Sequence, residues 1–237
     1  MTILADYIQR AAKALLSVFY PEKCLCCGSM LADSEHYLCA NCVGHVHKTD
    51  MHMHAFNQAE TRFDPNLHIL RAASYGWYQK DSELRDMIHL AKYAARPEIL
   101  YQMARQAATE WKASGFFDNI DIIVPVPMHK DKLRQRGYNQ TDYIAYGLAD
   151  VLGLPICTDA LLRIRNDQSQ TLQLTDQRLN NVKGAFALNP KHQLANMTIL
   201  LVDDVLTTGA TLSDCTRQLK KVKNTQIIIF TLAVTPA

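Results

Sequence analysis

The stretch T-I-L-L-V-D-D-V-L-T-T-G-A-T, residues 198–211, decides how this chain is read. Ile199, Leu200, Leu201 and Val202 form an uninterrupted apolar run, the pattern of a central strand covered on both faces by helices. Asp203 and Asp204 then stand at the carboxyl end of that strand, where open α/β sheets bind their ligands. Val205 leads into Thr207, Thr208, Gly209, Ala210 and Thr211. These offer hydroxyls and close-approach backbone N–H groups at the start of a helix expected near Thr211 or Leu212. There the dipole and the unpaired donors favour an anion. A plain strand-to-helix turn capped by Thr211 would explain the glycine and that threonine, but not the paired aspartates.

Two carboxylates beside a phosphate cradle repel a bare phosphate, so the ligand must also present hydroxyls or a divalent cation. A ribose 5-phosphate meets both demands. The stretch is not a P-loop, because the lysine of G-x-x-x-x-G-K-[ST] is missing. It resembles instead the phosphoribosyl diphosphate (PRPP) motif of type I phosphoribosyltransferases: an apolar run followed by D-D-x-x-x-[ST]-[ST]-G-x-T.

Working outward, D-I-I-V-P-V-P at 121–127 gives a second buried strand, and its two prolines take the chain out of the sheet. Next comes M-H-K-D-K-L-R-Q-R-G-Y-N-Q, with Lys130, Lys132, Arg134 and Arg136 within seven residues. Alone this would be a solvated basic turn. Beside the Asp203 motif it is expected as a cationic loop that meets a second anionic group, a diphosphate. Residues 139–152 read as a helix stopped by Gly153 and Pro155, and 155–157 as a short strand. Residues 161–183 are rich in Gln, Asn, Ser and Thr with dispersed arginines, which suits either a flap over an anionic ligand or, in the second half, an exposed helix. An edge strand over 71–78, helices over 81–94, 97–114 and 212–223, and a last strand over 226–234 complete the alternation of a mainly parallel α/β sheet.

The chain has 237 residues, 48% of them hydrophobic and 20% charged, which suits one large domain with a small appendage. No apolar run approaches the roughly 18 residues that span a bilayer, so no membrane insertion is expected. Residues 1–20 carry an amphipathic helical stripe interrupted by Asp6, Arg10 and Lys13, unlike a signal peptide. With 25 basic and 23 acidic residues, net charge +2, bulk electrostatics do not announce a nucleic-acid binder.

Five of the seven cysteines lie between Cys24 and Cys42. Cys24–Cys27 and Cys39–Cys42 are two C-x-x-C pairs whose thiolates can converge on one structural zinc ion, and Gly28 permits the knuckle turn. A four-cysteine site is expected, with a histidine from His36, His45 or His47 in place of one cysteine as the alternative. So short a segment depends on the metal to fold, on the order of 10 kcal/mol. Residues 49–69 lose periodicity and read as a connector. Its H-M-H, like H-V-H before it, could bind metal but is better explained by alternation on an exposed strand or by surface histidines. Reduced cysteines and no export signal point to a cytoplasmic location.

Four features in order are similar to the ComF family: the cysteine knuckle, V-P-V-P with R-G-Y-N-Q, R-x-x-x-x-x-x-x-T-L, and V-D-D-V-L-T-T-G-A-T. The resemblance spans nearly the whole chain and implies a zinc finger (21–48) joined through 49–69 to a type I phosphoribosyltransferase domain (70–237). It implies that Asp203 and Asp204 hold the ribose hydroxyls with Mg²⁺ nearby, and that residues 207–211 hold the 5-phosphate. Val126, Pro127, Met128 and His129 would form the diphosphate loop, with Arg136, Asn139 and residue 140 lining the cleft. Arg163 to Thr171 would belong to the flap, and Lys92 falls in the family's K-[YF] motif. Many relatives carry a second cysteine cluster before the core domain; this chain has none. The family is associated with DNA uptake in natural competence, so single-stranded DNA and a competence helicase are the implied partners. The alternatives are a metabolic phosphoribosyltransferase and a non-catalytic DNA-binding or helicase-docking factor.

Overall fold

The computed structural model describes residues 22–165 and 184–236. The amphipathic helix expected before residue 21 and most of the expected flap, including Thr171 and Arg178, lie outside the described residues. The chain divides into two compact units, Met1–His45 and Val46–Ala237.

In the first unit the chain turns back at Gly28 (φ +76°) and pairs Lys23 with Met30 in an antiparallel bridge. A short helix α1, Ala40–Gly44, follows. The Glu35 carboxylate accepts from the backbone N–H groups of Ala32 (2.8 Å) and Ala40 (2.6 Å), tying the loop before α1 to its first turn. Cys39 is the N-cap of α1, so the second C-x-x-C pair sits where a helix starts.

The second unit is built on a parallel sheet. Its elements in chain order are β1 (Arg71–Trp77), α2 (Glu83–Tyr93), α3 (Glu98–Trp111), β2 (Ile122–Pro125), α4 (Lys130–Arg136) and α5 (Gln140–Leu152). There follow β3 (Leu161–Arg163), β4 (Phe186–Leu188), β5 (Thr198–Leu206), α6 (Ala210–Leu219) and β6 (Gln226–Val234). The four-stranded sheet runs β1-β6-β5-β2, with every pairing parallel. β5 and β6 are central, which is why Ile199 to Val202 and Ile227, Ile229 and Phe230 are fully buried. β1 is the expected edge strand. The expected strand at 155–157 is a single parallel bridge from Ile156 to Ile123. β3 and β4 form a separate antiparallel ladder.

Where elements differ from expectation, the cause is local. The basic segment after V-P-V-P is the two-turn helix α4 instead of a loop. His129 caps it through Nδ1, which accepts from Asp131 N–H at 3.3 Å, and Gly137 ends it at φ +84°. α6 starts at Ala210, with Gly209 as its N-cap, so Thr211 lies inside the first turn and caps nothing. It also stops at Leu219, leaving Lys220, Lys221 and Lys223 beyond its last turn. Lys220 instead donates to Thr225 O at 3.0 Å.

Residues 49–69, expected as a connector, contain three single 3₁₀ turns and bury Met51, Ala59 and Phe63. The Asn57 amide donates to the carbonyls of Met51, His54 and Ala72, which fixes the segment against β1. His52 stacks on Trp111 with ring centroids 4.1 Å apart, so it is a packing residue and not a surface histidine.

Candidate functional site

β5 outruns its neighbour. β2 pairs with it only from Ile199 to Val202, the last pair being Pro125 with Val202, whereas β6 stays paired through Leu206. The prolines turn β2 away at the moment the carboxylates arrive, and a cleft opens between them. Successive strand residues project to opposite faces, so Asp203 and Asp204 reach different neighbours from the same point. Both line one cavity of about 330 Å³, together with Lys92, Arg136, Asn139 and Arg163. Val126, Pro127 and Met128 form its wall on the β2 side, and Val205, Thr207 and Thr211 its wall on the α6 side.

Two of the expected phosphate-binding groups sit apart from the main cavity. His129 is buried, 6% exposed, and occupied in capping α4. Thr208, Gly209 and Ala210 instead line a small recess of about 40 Å³ together with Asp203, Val205, Thr207 and Thr211. Gly209 as N-cap offers no side chain, and only Thr208 Oγ1 accepts, at 3.5 Å, from the Ala210 N–H, so the start of α6 adds N–H groups and the positive end of the helix dipole to this recess. Gly209 sits at φ +77°, and a Cβ there would meet Arg62 O at 2.9 Å. Arg62 itself braces the loop, donating to Thr207 O (3.0 Å) and Thr235 O (2.8 Å). Sequence reading missed Arg62 because it lies in the supposed connector.

The R-G-Y-N-Q signature is accounted for residue by residue. Tyr138 donates its hydroxyl to Ala91 O, next to Lys92 on α2. Asn139 Nδ2 (3.3 Å) and Thr141 Oγ1 (2.6 Å) both donate to Val126 O, holding the wall where β2 leaves the sheet. Gln140 accepts from Arg136 (2.7 Å) and donates to Asp204 Oδ2 (3.2 Å). Lys92 meets the same carboxylate oxygen at 2.7 Å. Thus Arg136, Gln140, Asp204 and Lys92 form one continuous polar chain drawn from three helices and a strand. Gln140 was named in the sequence only as part of the signature, and its partner could not be read there.

Electrostatics divide the carboxylates. Burial, then the Asp204 charge, push the Asp203 carboxyl up to about 7, against the bond from Asp204 N–H to its Oδ1 (2.9 Å) and the charges of Lys92 and Arg163. Burial alone would lower the Lys92 pKa, but the charge and hydrogen bond of Asp204, with Asp203 behind them, hold it above the usual value. Asp142, below the cleft on α5, is raised to about 6 by burial despite its bond from Asn139.

β3 ends in Arg163, whose side chain lines the main cavity. The β3–β4 ladder is anchored to α6 by Asp214, a buried carboxylate that accepts from the N–H groups of Gly184 (3.1 Å), Ala185 (3.0 Å) and Phe186 (3.2 Å). Asp214 was not singled out in the sequence, where it is one polar residue of an amphipathic helix.

In the first unit, Cys24, Cys27, Cys39 and Cys42 bring their sulfurs within 4.8 Å of one another. Cys24 and Cys42 are 3.8 Å apart, Cys27 and Cys39 3.7 Å. A tetrahedron with Zn–S bonds of about 2.3 Å has edges of roughly 3.8 Å. The donor set therefore fits zinc, with Cys26 outside it. The Ser29 hydroxyl and backbone N–H lower the Cys27 thiol to about 6.

The phosphoribosyl transferase domain family matches residues 143–237. Competence protein F of Haemophilus influenzae is 32% identical over 114 residues, covering 48% of this chain and 50% of that protein. DNA utilization protein YhgH of Salmonella typhimurium is 33% identical over 131 residues, 54% of this chain and 57% of that protein. The chain thus spans about half the length of these curated relatives. Among solved structures, an adenine phosphoribosyltransferase aligns over 62% of this chain and 74% of its own, at 11% identity and a TM-score of 0.39. The domain match agrees with the mainly parallel sheet expected of a type I phosphoribosyltransferase. Among the described residues no helix is long and apolar enough to cross a membrane.

Proposed function

We propose that this chain is a ComF-type protein whose cleft binds PRPP with Mg²⁺ and serves the handling of incoming DNA, a reading supported by its relatives and its phosphoribosyl transferase domain match. The observation that carries this reading is the convergence of Asp203 and Asp204 with Lys92, Arg136 and Arg163 on one cavity, beside the start of α6. The carboxylates would accept the ribose hydroxyls. The hydroxyls of Thr207, Thr208 and Thr211 and the N–H groups of α6 would hold the 5-phosphate. Arg136, Lys132 and Arg163 would face the diphosphate, neutralising charge as it leaves C1 of the ribose. Mg²⁺, which prefers hard oxygen donors, suits the paired carboxylates and would shield the diphosphate charge. No side chain is assigned as a nucleophile; the protein would position and stabilise.

The test is calorimetric titration of PRPP into the full chain with and without Mg²⁺. Saturable, Mg²⁺-dependent binding that is lost in Asp203→Ala/Asp204→Ala is expected. Equal binding by that double variant refutes the reading.

A nucleic-acid reading of the same face is supported by an adjoining hollow of about 390 Å³, which shares Lys92, Tyr93, Lys132 and Arg136 with the first and adds Gln135 and Tyr138. Cations among aromatic rings suit a single strand whose bases stack while its phosphates are neutralised. Single-stranded DNA should then compete with PRPP, with affinity that falls steeply as salt rises. A flat salt dependence would exclude it. The zinc module would remain the candidate for docking a helicase, tested by pull-down with and without residues 1–48.

A further inference from the structure

Outside the cleft, Cys157, Asp159 and His192 bring a sulfur, a carboxylate oxygen and an imidazole nitrogen within 4.8 Å of one another. None of the three lines the cleft. Cys157 Sγ lies 3.7 Å from Asp159 Oδ1, and His192 Nε2 lies 2.7 Å from the same oxygen. His192 Nε2 and the Asp159 carboxylate meet as a close ion pair, with a proton between them when no metal is bound. A divalent cation can take the place of that proton, with the Cys157 sulfur as its third donor. We propose that these three side chains form a second metal site, for a zinc-like divalent ion.

The donor chemistry fits such an ion. A thiolate, a carboxylate and a neutral imidazole balance a charge of +2, and mixed sulfur, nitrogen and oxygen sets suit borderline ions such as Zn²⁺. With metal–ligand bonds of about 2.0–2.3 Å, tetrahedral edges are roughly 3.3–3.6 Å. The sulfur–oxygen separation closes by a few tenths of an ångström, and the nitrogen–oxygen pair opens by about half an ångström. Three protein ligands leave a fourth position for water or an outside donor.

The outer shell is also in place. Asn189, 7% exposed, donates through Nδ2 to Asp159 O (2.9 Å) and Oδ2 (3.3 Å), which occupies the far carboxylate oxygen and leaves Oδ1 to the site. Its own carbonyl accepts from His192 N–H at 3.4 Å. Asn189 therefore ties together the two arms that carry the ligands. Those arms flank one end of the β3–β4 ladder: Cys157 and Asp159 precede β3, and His192 follows β4. A metal here would staple the end of the ladder at Leu161 and Leu188, opposite the end that carries Arg163 into the cleft.

The test uses the full chain, loaded with zinc under reductant and desalted. Wild type is expected to retain one more zinc per chain than Cys157→Ser, His192→Ala or Asp159→Asn, measured by atomic emission. Equal zinc in wild type and in the folded variants overturns the proposal. Cobalt titration of the wild type keeps it testable should every variant misfold. Two saturating phases are expected, one with the strong charge-transfer band of four thiolates and one with a weaker band of a single thiolate. A single four-thiolate phase overturns it.

Discussion

Replacing Lys92 with methionine keeps the length of the side chain and removes the cation from Asp204. The pair is 2.7 Å apart, Lys92 retains 20% of its side-chain exposure and Asp204 8%, so the charge left behind has little water to turn to. Breaking a buried pair from one side costs about 3–5 kcal/mol. Gln140 still donates to Asp204 Oδ2, so the lower end, about 3 kcal/mol, is expected. In a unit of this size that lowers the melting temperature by roughly 6–12 °C. The assay is thermal unfolding by circular dichroism on Lys92→Met, Asp204→Asn and the double variant, at low and high salt. The double variant should recover about 2 kcal/mol of the loss, because both the charge and its partner are gone. Salt should change little, since a pair this buried is poorly screened. A loss below about 0.5 kcal/mol, typical of a surface substitution, would refute the argument that Asp204 is a buried, dependent charge.

The Asp203 carboxyl is raised from 3.8 to about 7, facing Asp204, Lys92, Arg163 and Cys215. The folded chain thus keeps a proton that the unfolded chain loses, and the stability linked to Asp203 declines as pH rises from about 4 to 7. Mg²⁺ and ribose need the carboxylate, so PRPP affinity should fall below pH 7 by up to about tenfold per unit, and Asp203→Asn should flatten that profile in calorimetry. Gly209→Ala should cost about 1–2 kcal/mol for the left-handed backbone alone and weaken phosphate binding by displacing Arg62, read by denaturant unfolding and titration. Chelation or Cys39→Ser should unfold residues 22–45 while leaving the sheet, seen as loss of amide dispersion confined to that segment by NMR.

The sequence carried the site's chemistry because that chemistry is written in contiguous residues. Asp203 to Thr211 and the two C-x-x-C pairs are local strings, and their side-chain types restrict which ligands they can meet. It did not carry α4, because its basic residues mask a helix whose ends are set by His129 and Gly137. It did not carry Arg62 or Asp214 either: their partners are 145 residues away at Thr207 and 28 residues away at Phe186.

What the sequence by itself determined is the parallel α/β sheet, the place of the paired carboxylates at the end of a buried strand, and the four-thiolate set. Apolar runs, prolines and cysteine spacing act over a few residues, and so can be read without a fold. Only the tertiary structure decided that β2 stops at Pro125 while β5 runs on to Leu206, and that this difference opens the cleft. Only it set Lys92 and Gln140 on Asp204, or Cys157 and Asp159 against His192. Those pairings depend on strand register and on which helix ends meet, quantities that the whole packed chain fixes together.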